Sequence, residues 1–583
     1  MIDVASAAPP VLEPFNRAGV LNLADVHVAK TLARVCGEDD PLVVLAAALA
    51  VRAPRLGHVC LDLESVAETV APEEDAEVPV EALEWPAVDE WLAAIERSSL
   101  VADDAPLRLD GARLYLNRGW RAEQLVIRSL LSRVSAETPA VDEAALERAL
   151  SGVKDNHQRW AVETAVRRRF SVILGGPGTG KTTTIKTILE ALRLQASASG
   201  RDEPDVALVA PTGKAAQRVT DSIKDQDFTA TTIHKLLRRE PDNATRFRHN
   251  VDNPLPHDVV IVDETSMVSL DLMAKLLDAV RPEARLILVG DPDQLVSVES
   301  GAVLGDIAGP VREQRADGPV ADAIVVLRKV YRHGGGIADL AVAIQRGRPR
   351  PVLEVLGAGH EDVTWLEIDP AEAVESALAP VRELVVDAGA RLVAAARAGG
   401  AEIALQCLEE VRLLCAHRRG AYGVEDWVAR VEKWLALDLD DFDPAQSWYV
   451  GRPVLVTQND YQLGVLNGDT GVTIADPDDD GRLQVAFRQA EATRTIAPQR
   501  LEHVQTVHAM TIHKSQGSQF DTVVALLPDP TSKILTRELL YTAVTRAKDR
   551  LTVAATAEAI EAAVARPVRR TSGLRDALWR GSH

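Results

Sequence analysis

The stretch "SVILGGPGTGKTTTIKTIL", residues 171–189, decides the fold class of this chain. An apolar run precedes a glycine-rich turn and a segment with helical spacing, which predicts a strand, a loop and a helix. Backbone N–H groups of such a loop can surround phosphate groups, together with the helix N-terminus, where side chains in place of the glycines would obstruct close approach. We therefore predict a phosphate-binding loop rather than an ordinary glycine-rich turn. Its residues are Gly175, Gly176, Pro177, Gly178, Thr179, Gly180, Lys181, Thr182 and Thr183.

A second motif adds two carboxylates to this predicted loop. In "DVVIVDETSM", residues 258–267, an apolar strand ends in Asp263 and Glu264. The loop alone leaves kinases, GTPases, transporters and motors open. We expect Lys181 to reach β- and γ-phosphates, and Thr182 with Asp263 to hold Mg²⁺. Glu264 is then expected to polarise the attacking water, although a strand-end glutamate alone is also typical of a solvated surface. The pair favours hydrolysis over transfer of the phosphoryl group to a second substrate.

Three further side chains are candidates for the same reaction. Gln294 follows the apolar run in "LILVGDPDQL", where its amide could detect the γ-phosphate. Arg332 in "LRKVYRHGGG" and Arg546 in "YTAVTRAKDRL" come from a later part of the chain. An arginine from a facing lobe can stabilise charge that develops on a transferred phosphoryl group. Each of the three, taken singly, is also compatible with an ordinary surface position.

The alternation of short apolar runs with helical segments predicts an α/β protein with more than one lobe. The runs "SVILGG", "VALVAPT", "DVVIVDE" and "RLILVGD" alternate with helical segments, which indicates a parallel sheet covered on both faces. A second set, "AIVVLRK", "EVRLLCA", "DTVVALL" and "RLTVAA", predicts a second α/β lobe. Before them, residues from about 20 to 100 carry helical spacing, and residues 452–488 alternate short β-rich runs with turn residues. We expect a helical N-terminal module and a small antiparallel barrel that interrupts the second lobe.

The composition bounds the class of protein. The chain of 583 residues is 46% hydrophobic and 26% charged, which is typical of globular proteins with several domains. Its formal charge of −21 argues against broad nonspecific coating of nucleic acid, so any nucleic-acid site is expected to be a local channel. No signal peptide, membrane partner, disulfide framework or zinc site is expected, and the expected location is the cytoplasm.

The order of the motifs resembles that of superfamily 1 helicases. "GGPGTGKTT", "APTGKAAQR", "TTIHKLL", "VIVDE", "GDPDQL", "VYR", "TIHKSQGSQFD" and "YTAVTRAKDRL" carry the resemblance, which is strongest to the RecD subunits of RecBCD enzymes and covers nearly the whole chain. The resemblance implies two RecA-like P-loop lobes, an SH3-like β-barrel insert in the second lobe, and ATP-driven 5′→3′ movement on single-stranded DNA. It also implies that Gln158 recognises adenine, with a helix-surface glutamine as the alternative.

The resemblance further implies domain boundaries and partners. We expect a helical, partner-docking domain at 1–115, a first lobe at 116–325 with a short insert near 237–257, a second lobe at 326–445 and 506–583, and the SH3-like insert at 446–505. The implied partners are RecB-like and RecC-like subunits in a heterotrimer that processes DNA ends in double-strand break repair. No nuclease site is expected in this chain, so strand cleavage would lie in a partner.

The tetrapeptide "TIHK" occurs twice, at residues 232–235 and 511–514. The resemblance implies that both copies face the DNA strand, so that each lobe grips phosphates without reading sequence. A chance repeat is the alternative. The expected DNA contacts are Thr212, Lys214, Thr232, His234, Lys235, Thr511, His513 and Lys514.

Three other functions remain open from the sequence. A free-standing RecD2-type helicase is the main one, although these helicases usually have a longer N-terminal extension. A DNA clamp with a vestigial nucleotide site is disfavoured by the intact motif residues, and a P-loop kinase leaves the later motifs unexplained.

Overall fold

A computed structural model describes most of the chain. The described residues are 5, 8–70, 82–102, 104–223, 228–240, 243–312, 318–331, 335–460, 462–476, 479, 481–488 and 493–579.

The N-terminal module combines helices with a small sheet. The apolar run at 42–51 forms the middle of its third helix and is largely buried, and Trp91 from a later helix packs against that helix in the same core. A three-stranded antiparallel sheet, which helical spacing did not predict, completes the module. The elements are α1 (Glu13–Arg17), α2 (Leu23–Cys36), α3 (Pro41–Arg55), β1 (Cys60–Asp62), α4 (Val66–Thr69), α5 (Val88–Glu96), β2 (Leu107–Asp110) and β3 (Arg113–Leu116).

The next lobe contains a six-stranded, entirely parallel sheet with strand order β11-β4-β10-β9-β5-β6. Its strands are β4 (Phe170–Leu174), β5 (Val206–Ala210), β6 (Thr231–Thr232), β9 (Val259–Val262), β10 (Arg285–Gly290) and β11 (Ile324–Val326), and a hairpin of β7 (Arg239–Glu240) and β8 (Asn243–Phe247) lies within 237–257. The helices are α6 (Asn117–Val134), α7 (Glu143–Leu150), α8 (Asn156–Arg167), α9 (Lys181–Ala198), α10 (Gly213–Ser222), α11 (Ile233–Leu237), α12 (Leu270–Ala279) and α13 (Val303–Arg312). The predicted strands of the first set all belong to this sheet, so the parallel α/β prediction is confirmed.

A second parallel sheet of five strands has the order β12-β21-β20-β13-β19. Its strands are β12 (Val363–Leu366), β13 (Val411–Cys415), β19 (Ala509–Thr511), β20 (Phe520–Leu526) and β21 (Ala547–Ala554). The surrounding helices are α14 (Gly336–Gln345), α15 (Pro349–Leu356), α16 (Ala379–Arg397), α17 (Ala401–Glu410), α18 (Val424–Asp438), α19 (Arg537–Val544) and α20 (Ala557–Ala565). We call the two α/β units the first and the second lobe.

One strand assignment was wrong. The run "AIVVLRK" was predicted to belong to the second lobe, but it forms β11, which pairs in parallel with β4 at the edge of the first sheet. Its apolar pattern identifies a buried strand but carries no information about which sheet that strand joins. The short strand β12 takes a place in the second sheet that no predicted strand had filled.

An antiparallel sheet interrupts the second lobe between α18 and β19. Its five strands have the order β17-β16-β15-β14-β18, and its interior has a separate apolar core. The strands are β14 (Pro453–Val456), β15 (Thr470–Ala475), β16 (Leu483–Arg488), β17 (Thr493–Ile496) and β18 (Val504–Thr506).

The end of the chain leaves the second lobe and returns to the first. Residues 506–583 were predicted to belong to the second lobe, but the last helix, α21 (Leu574–Trp579), buries Leu574 and Trp579 in the core of the first lobe. The segment before it also bonds the N-terminal module, because Val59 donates its N–H to Thr571 O at 2.8 Å. Such a short helix gains its stability from this packing rather than from its own hydrogen bonds.

The described residues contain no helix with the length and apolar character that a membrane span requires. Over the same ranges, no group of three or more His, Cys, Asp or Glu side chains could hold a metal ion.

A buried carboxylate on α6 fixes the returning C-terminal segment. Glu123 is 1% exposed, and its two oxygens accept hydrogen bonds from Tyr115 Oη and Gly573 N, each at 3.0 Å. Burial raises the pKa of Glu123, and the hydrogen bond from Tyr115 opposes that rise.

We predict that Glu123→Ala lowers the free energy of unfolding by about 2–4 kcal/mol, because it leaves two buried donors without an acceptor. Trypsin should then cleave faster after Arg569 and Arg570. Glu147→Ala, which removes an exposed ion pair with Arg159, is the control and should change neither measurement. Equal cleavage rates for Glu123→Ala and the wild type would contradict this role.

Candidate nucleotide and nucleic-acid sites

The glycine-rich turn connects β4 to α9 in the predicted way. Gly178 and Gly180 have φ angles of 77° and 85°, a region that glycine enters without steric cost. A Cβ atom on Gly180 would come within 2.2 Å of Gln158 Nε2. Lys181 Nζ donates hydrogen bonds to Gly175 O at 2.6 Å and Gly176 O at 3.0 Å, which holds the ammonium group over the turn.

Gln158 and Tyr331 flank this turn from two sides. Gln158 lies in the first turn of α8 and donates from Nε2 to Thr179 O at 3.3 Å. Tyr331 donates its N–H to Gly178 O at 2.8 Å, and its half-exposed ring borders the cavity beside the loop. The sequence analysis missed Tyr331, although it directly precedes Arg332 in the "VYR" motif. Arg332 itself lies outside the described residues.

The two predicted carboxylates stand at the end of β9. Asp263 is 7% exposed, and burial raises its pKa to about 6; the Glu264 charge adds to the rise, while Lys181 opposes it. Asp263 Oδ1 accepts the Glu264 N–H at 2.8 Å. Glu264 has a φ of 50°, which is costly for a residue with a side chain and is typical of functional sites.

These residues fit a divalent cation. The Asp263 carboxylate is buried with only partial compensation by Lys181, and the same cavity is bordered by Thr182. Carboxylate and hydroxyl oxygens are ligands that Mg²⁺ prefers.

Gln294 lies in the loop after β10 and is bonded to the second lobe through Asp291. The buried Asp291 Oδ2 accepts hydrogen bonds from Gln294 Nε2 and from Tyr541 Oη on α19, both at 3.1 Å. Leu295 N donates to Thr542 Oγ1 at 2.9 Å. Burial raises the pKa of Asp291, and Lys181 opposes the rise. Tyr541 was not predicted as a site residue; it opens the motif "YTAVTRAKDRL", but nothing in that motif identifies its contact with Asp291 of the first lobe.

Arg546 reaches the same cavity from the second lobe. Its side chain is 1% exposed, donating from Nη1 to Ser518 O at 3.0 Å and from Nε to Thr542 O at 3.2 Å. Burial lowers the pKa of Arg546, whereas the nearby Glu264 charge raises it. These contacts fix the guanidinium opposite the carboxylate pair.

One cavity of about 340 Å³ therefore lies between the lobes. It brings together most of the predicted catalytic and phosphate-loop residues and adds Arg218, Tyr331 and Gln519. Its lining consists of Pro177, Gly178, Gly180, Lys181, Thr182, Thr183, Ala215, Arg218, Val219, Asp263, Glu264, Gln294, Tyr331, Gln519 and Arg546.

Arg218 is a further residue that sequence reasoning missed. It lies on α10, with Nη1 at 3.9 Å from Glu264 Oε1 and Nη2 donating to Gln519 Oε1 at 3.1 Å. Its place in "APTGKAAQR" was a possible signal, because Thr212 and Lys214 of that motif had already been singled out.

The two TIHK copies have the same local structure. Thr232 ends β6 and Thr511 ends β19, and each of these strands lies at an edge of its parallel sheet. Thr232 Oγ1 accepts the Lys235 N–H at 3.1 Å, and Thr511 Oγ1 accepts the Lys514 N–H at 3.2 Å. A short helical turn follows in both cases, so the repeat specifies equivalent positions in the two lobes.

The other candidate DNA contacts differ in exposure. His234, Lys235 and Lys514 are exposed, His513 is half-buried and Thr511 is buried, and burial lowers the pKa of both histidines. Thr212 caps α10 by accepting the Ala215 N–H at 3.2 Å.

Lys214 lies at the antiparallel sheet. Desolvation, together with nearby Arg412, lowers the pKa of Lys214 to about 8, and Asp469 is among the acidic side chains that oppose this. A Cβ atom on the adjacent Gly213 would lie 2.8 Å from Leu466 Cδ1. Lys214 thus belongs to the contact between the first lobe and the interrupting sheet.

Family models match three parts of the chain. The model described as the N-terminal domain of RecBCD enzyme subunit RecD matches residues 17–115, an AAA domain model matches 158–300, and a UvrD-like helicase C-terminal domain model matches 506–554. Among solved structures, the Candida albicans Pif1 helicase has 16% identity and a TM-score of 0.37, covering 69% of this chain and 95% of that one.

Curated relatives share nearly the full length. RecBCD enzyme subunit RecD of Mycolicibacterium smegmatis is 46% identical over 97% of this chain and 99% of its own. The Haemophilus influenzae protein of that name is 32% identical over 97% and 98%. The ATP-dependent RecD2 DNA helicase of Deinococcus radiodurans is 32% identical, but the match spans only 60% of that protein, so the RecD2 alternative is not favoured. The chain therefore belongs to the RecD family of helicases.

Proposed function

We propose that this RecD-family helicase hydrolyses ATP between its lobes and uses the cycle to move 5′→3′ along single-stranded DNA. The observation that carries the proposal is the shared cavity. Lys181, Glu264 and Gln294 reach it from the first lobe, and Arg546 reaches it from the second. Because opposite lobes supply the binding and charge-stabilising groups, binding of a nucleotide would favour their approach.

Each of these residues has a distinct task in the proposed reaction. Lys181 neutralises the β- and γ-phosphates, and Gln158 beside the loop recognises adenine. Glu264 orients and deprotonates the attacking water, while Gln294 contacts the γ-phosphate or that water. Arg546 stabilises negative charge in the transition state, and the position of Arg332 in the VYR motif assigns it the same task. The buried Arg546 guanidinium acts strongly here because its surroundings screen it less than water does.

Thr182 and Asp263 would hold Mg²⁺ in this proposal. The ion would supply charge neutralisation for the phosphate oxygens. Its presence would also compensate the buried Asp263 carboxylate, whose pKa is raised to about 6.

The DNA grip is proposed to lie at the TIHK turns. In each lobe the Thr hydroxyl already accepts an amide proton, so its own O–H and the neighbouring Lys can donate to a phosphate oxygen. Thr212, His234 and His513 extend these two grips, and Lys214 extends the first one from the contact between the first lobe and the interrupting sheet. Phosphate contacts of this kind hold a strand without selecting its sequence.

The domain roles follow the same proposal. Residues 116–325 and the two segments 326–445 and 506–565 would form the RecA-like motor, and residues 446–505 an SH3-like insert. The N-terminal module at 1–115 would dock to partners.

We further propose that the chain works in a heterotrimer with RecB-like and RecC-like subunits at DNA ends. Its relatives carry the name RecBCD enzyme subunit RecD, and the family model for that subunit's N-terminal domain matches 17–115. Nuclease activity would reside in a partner.

The direction of movement is tested with duplexes that carry one single-stranded tail. We predict that the full-length chain unwinds duplexes with a 5′ tail in the presence of ATP. The chain is tested alone, or in a complex with partners that have lost their own motor activity. Strand release is followed on native gels, and a 3′-tailed duplex is the matched substrate. Unwinding of the 3′-tailed duplex alone would contradict the proposed polarity.

We predict that Lys181→Gln abolishes measurable ATP turnover while the fold is retained, because the phosphate charge loses its main counter-ion. Phosphate release reports turnover, and circular dichroism reports the fold. Lys275→Gln, at an exposed position on α12, is the control and should turn over ATP at the wild-type rate. Retained turnover in Lys181→Gln would refute the assignment of the site.

We predict that Arg546→Lys lowers kcat by about 10³-fold or more while changing the affinity for ATP little, because its guanidinium acts mainly in the transition state. Nucleotide binding is measured by fluorescence and kcat by phosphate release. Arg550→Lys, which changes an exposed arginine on β21, is the control. Loss of ATP binding at unchanged kcat would assign Arg546 to ground-state binding instead.

A further inference from the structure

Arg218 on α10 has partners in both lobes. Its Nη1 atom lies 3.9 Å from Glu264 Oε1 in the first lobe, a distance that allows attraction but no direct hydrogen bond. Its Nη2 atom donates to Gln519 Oε1 of the second lobe at 3.1 Å. The fixed contact of this guanidinium is therefore with the second lobe, and the looser one is with the proposed catalytic base.

The partner residue Gln519 belongs to the turn that follows the second TIHK copy. That turn, residues 515–519, lies directly against α10, because a Cβ atom on Gly517 would be 3.6 Å from Ala215 Cβ. In the same turn, Gln516 Nε2 donates to Leu295 O at 2.7 Å, next to Gln294. A displacement of Lys514 would thus move the adjoining turn. Through Gln519 and Gln516, that movement would reach both Arg218 and the Gln294 loop.

Helix α10 also connects the proposed phosphate grip of the first lobe to the cavity. Thr212 caps α10, and its side chain accepts the Ala215 N–H at 3.2 Å. Arg218 lies nearly two turns beyond Thr212 on that helix and borders the cavity together with Ala215. One helix consequently connects a proposed phosphate grip at its start to the nucleotide cavity at its middle.

We propose that Arg218 is a positioning residue that makes the orientation of Glu264 depend on the second lobe, and thereby on the DNA strand that the TIHK turns hold. The inference rests on the proposed function. When the turn at 515–519 moves, the bond from Gln519 moves the guanidinium relative to Glu264. A planar guanidinium suits this task because it presents donors on several sides at once, which an ammonium group does not.

The electrostatics agree with this placement. In the first lobe, the Arg218 Nη1 atom lies 3.9 Å from Glu264 Oε1. Burial lowers the pKa of Arg546, and the neighbouring Arg218 charge lowers it further. Arg218 therefore acts on charged groups of both halves of the cavity.

The inference is tested by steady-state ATP hydrolysis of the full-length chain with and without single-stranded oligonucleotide. We expect Arg218→Ala to lower the ratio of kcat with DNA to kcat without DNA about tenfold, with KM for ATP changed less than about twofold. Gln519→Ala should lower the same ratio to a similar extent. Because the two residues act as one unit, the double variant should lose no more than either single variant.

Controls separate this role from a structural one. Arg218→Lys keeps a charge near Glu264 but cannot hold Gln519 at the same time, so it should recover only part of the stimulation. Gln217→Ala, at an exposed neighbouring position on α10, should retain the wild-type ratio. Thermal unfolding midpoints verify that each variant is folded.

Two results would overturn the inference while leaving the proposed function intact: undiminished stimulation in Arg218→Ala, or losses that simply add in the double variant. A wild-type chain whose ATP hydrolysis does not respond to DNA would instead refute the proposed function. If Arg218→Ala does not fold, the comparison of Gln519→Ala with Gln217→Ala decides the question.

Discussion

The burial of Asp291 between the lobes is the constraint on which the rest of the site depends. A carboxylate out of contact with water is costly unless its oxygens accept hydrogen bonds. Asp291 obtains one of these bonds from Gln294 in its own lobe and another from Tyr541 in the second lobe. A third bond comes from Asp293 N to the other carboxylate oxygen at 3.1 Å, so the second lobe supplies one of three hydrogen bonds to the carboxylate that holds the loop carrying Gln294. Arg546 follows Tyr541 by five residues and borders the cavity as well.

The nucleotide cavity and the proposed DNA grips are connected through the same boundary. The turn after Thr511 contacts both α10 and the Gln294 loop, and α10 begins at Thr212. The C-terminal segment, which leaves the second lobe, contacts the first lobe as well, since Arg570 donates a hydrogen bond to Gly301 O at 3.1 Å. Movement of one lobe relative to the other would therefore alter nucleotide contacts and strand contacts together, which is what a translocating motor requires.

The sequence alone predicts the local parts of the site and not the contacts across the lobes. The phosphate loop follows from glycine positions, and the strand ends at Asp263 and Gln294 follow from apolar runs. Arg218 and Tyr541 stand within quoted motifs, but their roles depend on partners far away in the sequence, Gln519 and Asp291, which no local pattern identifies.

The same limit explains the errors in the fold. The pattern of β11 identifies a strand but not its sheet, and nothing in the sequence around α21 marks the lobe that buries this helix. The repeated TIHK is an instructive exception, because a Thr cap at a strand end is a local structure that four residues suffice to specify.

The central claim is that one nucleotide bridges the two lobes, and its most direct measurement is a structure of the full-length chain with a nonhydrolysable ATP analogue and Mg²⁺. The account predicts that Lys181 Nζ and the Arg546 guanidinium both contact the terminal phosphate, with Glu264 facing it. A terminal phosphate bound by the first lobe alone, with Arg546 turned away from it, would contradict the account.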